Sequence, residues 1–286
     1  MFLEQLARDN AIARACLAAA LPKHGPMRAP MDYAVNGGKG LRGFLVIESA
    51  RVLGVPESIS QYGAAAIEAM HACSLVHDDL PCMDDDDLRR GQPTVHKKFD
   101  EATAVLVGDA LQSLAFELVT DPRAGSGEVR AEMARSLAVG AGGLGMVLGQ
   151  ALDIAAETAE TPLTIDEIIY LQEGKTGALI EWSAMAGARL AGAETAPLQA
   201  YGKNLGLAFQ IFDDILDVEG DAATVGKAVG KDQNAGKATF VSLLGLEGAK
   251  TRAQELVTLA CDAVSGYGDK AETLRDAARF VIARDN

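Results

Sequence analysis

Aromatic residues are scarce in this 286-residue chain, at 5%, with tryptophan occurring once. Strands draw on aromatic and β-branched residues, so this shortage together with abundant Ala and Leu favours helices over sheets. No run of period-2 alternation bounded by turn signals appears, and no sheet is expected. Positive charge is also in deficit: 26 Lys and Arg stand against 40 Asp and Glu, a net charge of −14. That excludes nucleic acid as an overall partner. The four cysteines, Cys16, Cys73, Cys82 and Cys261, form no CxxC pair. They read as reduced thiols of a cytoplasmic protein. Neither GxxxxGK[ST] nor GxGxxG is present, which disfavours a nucleotide cradle. No Ser-His-Asp or Cys-His arrangement suggests a nucleophile. Long charge-free apolar runs are missing too: 102–119 contains Asp109 and Glu117, and 137–156 contains Gln150 and Asp153. No stable membrane insertion is expected. The opening "MFLEQLARDNAIARACLAAAL" reads as an amphipathic helix and not as a secretory signal.

No Ser/Gly/Pro-rich linker divides the chain, and its length suits one large domain or two smaller ones. Helical blocks are expected over 2–21, 31–53, 58–80, 99–119, 127–156, 164–190, 196–219 and from 237 to the end. Thr164 and Glu167 have the spacing of a capping box at the start of "TIDEIIYL". Several blocks are apolar nearly all round, as in the interior of a large bundle.

Two aspartate clusters lie far apart in sequence. In "SLVHDDLPCMDDDDLRRG", Asp78 and Asp79 stand where Pro81 should end the helix, and Asp84 follows a short loop. His71 and Asp78 share one wall of that helix, about 10 Å apart. In "FQIFDDILDVEGD", Asp213 and Asp217 are one turn apart, with Gln210 one turn earlier. Each cluster alone has a plain reading as a solvated acidic face. Carboxylate oxygens are also hard ligands of the kind Mg²⁺ takes alongside phosphate oxygens. Two facing clusters would make a magnesium–phosphate clamp.

Cations appear at separated places: Lys39 and Arg42 in "GGKGLRG", Arg89 and Arg90, Lys175 with Thr176 in "QEGKTGA", and Lys227 and Lys231 in "VGKAVGKD". Arginine offers a bidentate fork for phosphate, and lysine a point charge. Gly37, Gly38 and Gly40 permit close backbone approach. Gly174 and Gly177 predict a local break in the helix around Lys175. For any one lysine, surface solubility is the plainer reading.

In this order and spacing, "GGKGLRG", "HACSLVHDDLPCMDDDDLRRG", "GQPTVH", "GMVLGQALD", "EGKTGALI", "FQIFDDILD" and "VGKAVGKD" resemble the trans-isoprenyl diphosphate synthases, in particular the bacterial short-chain enzymes that make farnesyl or geranylgeranyl diphosphate. The resemblance implies an all-α, large single-domain helical bundle over 1–286 around a deep central cavity, working as a homodimer. It implies that Asp78, Asp84 and Asp213 hold three Mg²⁺ at the allylic diphosphate. It places Arg89, Lys175, Thr176, Gln210 and Lys227 at the allylic substrate, and Lys39, Arg42, His71 and Arg90 at the diphosphate of isopentenyl diphosphate. Two glycines depart from the family pattern: Gly40 stands where a long residue, usually Arg, is common, and Gly43 where Pro is frequent.

The reaction so implied needs no protein nucleophile. Diphosphate leaves the allylic substrate, isopentenyl diphosphate attacks the cation, and loss of a proton gives a product one C5 unit longer. Lys175, Thr176 and Gln210 would supply oxygens near the cation, and His77 a supporting role. Terpene cyclases and head-to-head prenyl condensing enzymes ionise the same substrates without an isopentenyl diphosphate pocket; a non-enzymatic acidic scaffold would turn nothing over. For product length, Cys73 lies ~7.5 Å and Met70 ~12 Å behind Asp78 along the helix. Enzymes that stop at farnesyl commonly carry an aromatic residue at the position of Cys73. The smaller Cys73, with Met70 as a lower floor, predicts C15 to C20 products.

Overall fold

The computed structural model describes residues 2–159, 161–219 and 239–283. They form two compact units, the first Met1–Leu137 with Ala186–Ala193, the second Ala138–Met185 with Glu194–Asn286. Among the described residues, apart from one two-residue strand pair, the regular structure is helical.

Unit one holds α1 (Phe2–Ala20), α2 (Arg28–Val35), α3 (Leu41–Val52), α4 (Glu57–Asp78), α5 (Val95–Lys98), α6 (Glu101–Thr120) and most of α7 (Gly127–Ala141). Its centre is α4, which packs against α1, α3 and α6. Ala64, Ala65, Ala66 and Ala69 on α4 are fully buried, so neighbouring helices approach closely on more than one side. Phe44, Leu45 and Ile47 of α3 and Val107, Leu111 and Ala115 of α6 fill the surrounding space. Burial of each large side chain contributes about 1.5–3 kcal/mol. By length and composition alone α6 could cross a membrane, as could 127–157; one face of α6 is buried against α4. Asp100 caps α6, accepting from the Thr103 N–H at 2.7 Å. α4 ends at Asp78, two residues short of the expected 80.

Unit two holds α8 (Met146–Glu157), α9 (Ile165–Gln172), a π-helical turn (Glu173–Gly177), most of α10 (Ala178–Ala191), α11 (Ala196–Glu219), α12 (Phe240–Leu244), α13 (Leu246–Ala263) and α14 (Glu272–Val281). α11 packs along α13, where Ala249, Ala253, Leu256 and Ala260 are buried. The Tyr201 hydroxyl donates to the Leu274 carbonyl at 2.7 Å, tying α11 to α14. The Thr164–Glu167 capping box forms as expected.

Four expectations change. The block 31–53 is two helices, parted by a stretch in which Gly37, Gly38 and Gly40 have φ of 101°, 78° and 68°. The block 127–156 breaks between Ala141 and Met146, at a glycine-rich turn. Among its described residues the C-terminal block is three α-helices and a 3₁₀ segment, with Gly245 (φ 70°) and Gly268 (φ 60°) at breaks that helical geometry cannot bridge. Finally, Leu88–Arg89 and Gln92–Pro93 pair antiparallel where no strand was expected; two residues are too few to show a period.

Candidate active site

In unit one Asp78 closes α4, and Asp84 sits on the loop that folds back onto it. The Asp84 N–H donates to the Asp78 carbonyl at 2.8 Å, bringing the two residues together. The Thr94 hydroxyl donates to the Asp86 carbonyl at 2.8 Å, and its N–H to that of Asp87 at 3.0 Å, closing the loop. Between the paired strands stand Arg90 and Gly91, with φ of 54° and 72°. Positive φ at both central residues is the mark of the two-residue hairpin turn that matches strand twist. An arginine held there costs about 1–2 kcal/mol, and strain of that kind concentrates at working sites.

The turn sends two consecutive arginines to different partners. Arg89 donates from Nε to Asp79 Oδ1 at 2.9 Å, with a second hydrogen bond from Nη2 to the same oxygen. Asp79 is buried. Burial pushes its carboxyl up, and Arg89 opposes the rise. For Arg89, burial works against the charge, but Asp79 outweighs it, assisted by Asp86 and Asp78. Arg90 instead lies over the glycine loop: a Cβ on Gly38 would fall 2.6 Å from its Nη1. The close approach that those glycines permit is thus made by the protein's own Arg90. Gly40 makes room for Asn10 in the same way. His71, half-buried on α4, is held well below its ordinary value by burial, then by Arg42, Arg90 and Arg89. Its ring is therefore neutral at pH 7. Glu68, one turn earlier, accepts from the Gly43 N–H at 2.7 Å. A proline at 43 could not donate that bond. Arg42, His71, Arg89 and Arg90 share one electrostatic neighbourhood; Lys39 is exposed in the stretch before α3.

In unit two the π-helical turn carries Lys175 and Thr176, and two helices pin it by the same device. On α8, Gly149 lies against the turn's backbone; a Cβ on Gly174 would be 3.0 Å from the Gly149 Cα. Four residues on, Asp153 Oδ2 meets Lys175 Nζ at 2.6 Å. On α11, Gly206 lies against Gly177, where a Cβ would be 3.1 Å from the Gly177 Cα. Four residues on, Gln210 Oε1 accepts from the Thr176 hydroxyl at 3.2 Å. Residues i and i+4 share a helix face, so each glycine contact sets the depth at which the polar side chain reaches the turn. Asp213 and Asp217 are half-buried on α11 one turn apart. Lys227 and Lys231 lie outside the described residues.

Asp79, Asp153, Asp214 and Glu68 are buried or half-buried carboxylates that work on neighbouring side chains and were not anticipated as site residues. The doubled aspartates at 78–79 and 213–214 were the available signal: adjacent helical residues face about 100° apart, so one of each pair turns inward. Among the described residues no three His, Cys, Asp or Glu side chains converge on a metal-holding group. Asp78 with Asp84, and Asp213 with Asp217, are pairs of hard oxygen donors. Each pair by itself fits Mg²⁺, which keeps its waters and takes one or two carboxylates together with substrate phosphates.

Similarity to known proteins agrees with this arrangement. The "Polyprenyl synthetase" family model matches residues 24–276. The farnesyl diphosphate synthase of Haemophilus influenzae is 45% identical over 267 residues, 91% of this chain and 90% of that protein. The crystal structure of an FPP/GFPP synthase from Zymomonas mobilis superposes with a TM-score of 0.87 at 44% identity, over 98% of this chain and 97% of the other. A geranyltransferase from Helicobacter pylori, solved in complex with magnesium and isoprenyl diphosphate, gives a TM-score of 0.80 at 33% identity, over 98% of this chain and 96% of the other. The fold is the all-α isoprenoid-synthase type. The chain belongs to the polyprenyl synthetase family.

Proposed function

We propose that this enzyme is a short-chain trans-prenyltransferase that joins isopentenyl diphosphate to an allylic diphosphate, giving farnesyl or geranylgeranyl diphosphate. The observation that carries the two-substrate reading is the divergence of Arg89 and Arg90 at one hairpin turn. Arg89, held by Asp79 beside Asp78, serves the allylic diphosphate. Arg90, over the glycine loop with Arg42, Lys39 and neutral His71 in attendance, serves the diphosphate of isopentenyl diphosphate. A cyclase or head-to-head enzyme has no use for the second set.

Asp78, Asp84 and Asp213 hold Mg²⁺, three ions in our reading. Bound there, magnesium supplies charge neutralisation for the departing diphosphate. Lys175, kept in place by Asp153, and Lys227 add positive charge at the allylic diphosphate. The oxygens of Thr176 and Gln210 face the developing allylic cation, where preoriented dipoles act without reorganisation. Apolar walls exclude the water that would quench it. The released diphosphate takes the proton. The chain works in the cytoplasm as a homodimer; the exposed Val105 and Leu106 of α6 offer apolar surface for a partner copy.

Steady-state kinetics varying one substrate at a time test the division of labour. Arg90→Ala should raise KM for isopentenyl diphosphate about tenfold or more and leave that of the allylic partner nearly unchanged; Arg89→Ala should do the reverse. Reversed effects would overturn the assignment.

A further inference from the structure

The strongest unassigned feature of unit two is a chain of hydrogen bonds that begins on the π-helical turn and ends on a buried carboxylate. The Thr176 hydroxyl donates to Gln210 Oε1 at 3.2 Å. Gln210 Nε2 donates to Asp214 Oδ1 at 3.2 Å. The other oxygen, Asp214 Oδ2, accepts from the Phe240 backbone N–H at 2.8 Å, at the start of α12. Asp214 is 7% exposed, one residue after an aspartate that remains half-buried.

We infer that Asp214 is a positioning residue: its carboxylate fixes the polarity of the relay, so that Gln210 presents its carbonyl and Thr176 its lone pairs toward the reacting allylic group. Both Asp214 oxygens accept from N–H donors, as a carboxylate does. Its neighbour on Gln210 must therefore be the NH₂ end, which turns the amide oxygen toward Thr176. That oxygen consumes the threonine proton, and the hydroxyl is left facing outward as an acceptor. With the amide reversed, Thr176 would accept from Gln210 and swing its O–H outward, aiming a positive dipole where a cation develops. The inference rests on the prenyl-transfer reading for its catalytic consequence, but the pairing itself does not.

Asp214→Asn has one oxygen and one NH₂. If the oxygen stays with the Phe240 N–H, the NH₂ faces Gln210 and turns the amide round. The charge-conserving swap Gln210→Glu with Asp214→Asn restores the order. In the swap the new amide at position 214 donates to the new carboxylate at position 210, whose second oxygen accepts from Thr176. We expect Asp214→Asn to lower kcat about tenfold or more, with KM for isopentenyl diphosphate and the Mg²⁺ activation midpoint within about twofold of wild type. The swap should recover most of that loss. It should also melt several degrees above Gln210→Glu alone, which sets two carboxylates face to face. A kcat near wild type in Asp214→Asn, a swap no faster than Asp214→Asn, or a shift of the Mg²⁺ midpoint like that of Asp213→Asn would overturn the inference. Should the wild type condense no prenyl diphosphates, the functional reading falls, and the melting temperatures alone judge the pairing: a stabilising swap sustains it and additive losses refute it.

Discussion

Lys175 Nζ lies 2.6 Å from Asp153 Oδ2, an ion pair across the seam between α8 and the π-helical turn. Asp153 is 8% exposed, and the lysine comes from a turn whose backbone touches Gly149 one helical turn away. Such a pair holds a cation at a fixed depth. Removing the carboxylate leaves the half-buried lysine without that partner, at a cost of about 1–3 kcal/mol. Asp153→Ala should keep its helical circular dichroism and lose about ten- to a hundredfold in kcat/KM for the allylic substrate, with a much smaller effect on KM for isopentenyl diphosphate.

Gly38 has a φ of 78° and no room for a Cβ beneath the Arg90 guanidinium. Gly38→Ala should displace Arg90 and cost roughly 1–2 kcal/mol in backbone strain. Expected is a rise of about tenfold in KM for isopentenyl diphosphate, read from steady-state kinetics; an unchanged KM would show that Arg90 does not depend on the glycine loop.

His71 gives stability a pH dependence of definite sign. Its folded value is depressed from 6.5, first by burial and then by Arg42, Arg90 and Arg89. Below about pH 6.5 the unfolded chain binds a proton that the folded chain refuses. This contribution is complete above that pH and is lost as pH falls toward the folded value. Urea midpoints measured across the window should decline on acidification in the wild type and decline less in His71→Gln.

Cys73 and Cys82 should differ in reactivity. Burial, then the Asp109 and Asp78 carboxylates, push the Cys73 thiol up to about 12, whereas Cys82 is exposed. Since the thiolate is the reactive form, iodoacetamide at mildly alkaline pH should label Cys82 and spare Cys73, as mass spectrometry would show. Cys73 is 4% and Met70 1% exposed. If the product tail runs beside them, Cys73→Tyr should shorten the product to farnesyl and Met70→Ala lengthen it.

Much of this was legible in the sequence. Pro81 placed the end of α4 within two residues, Thr164 and Glu167 announced the cap of α9, and Gly174 with Gly177 flagged the turn that proves π-helical. These are local effects of proline geometry, capping and backbone freedom. The roles of Asp79, Asp153 and Asp214 were not legible, because whether a given carboxylate turns inward depends on partners distant in sequence. Arg89, Lys175 and Phe240 lie 10, 22 and 26 residues away respectively. The hairpin that separates Arg89 from Arg90 was hidden for another reason: its strands are two residues each and its turn uses an arginine where glycine or asparagine is usual.

Magnesium-dependent condensation of two different diphosphates is open to a single assay. Radiolabelled isopentenyl diphosphate is incubated with the enzyme, with and without dimethylallyl or geranyl diphosphate, in Mg²⁺ or EDTA, and the dephosphorylated products are separated by chromatography. Label should appear in C15 or C20 allylic products when both substrates and Mg²⁺ are present, with turnover lost in EDTA and reduced by orders of magnitude in Asp78→Ala and Asp213→Ala. Consumption of the allylic diphosphate without incorporation of label, or undiminished turnover in EDTA, would contradict it.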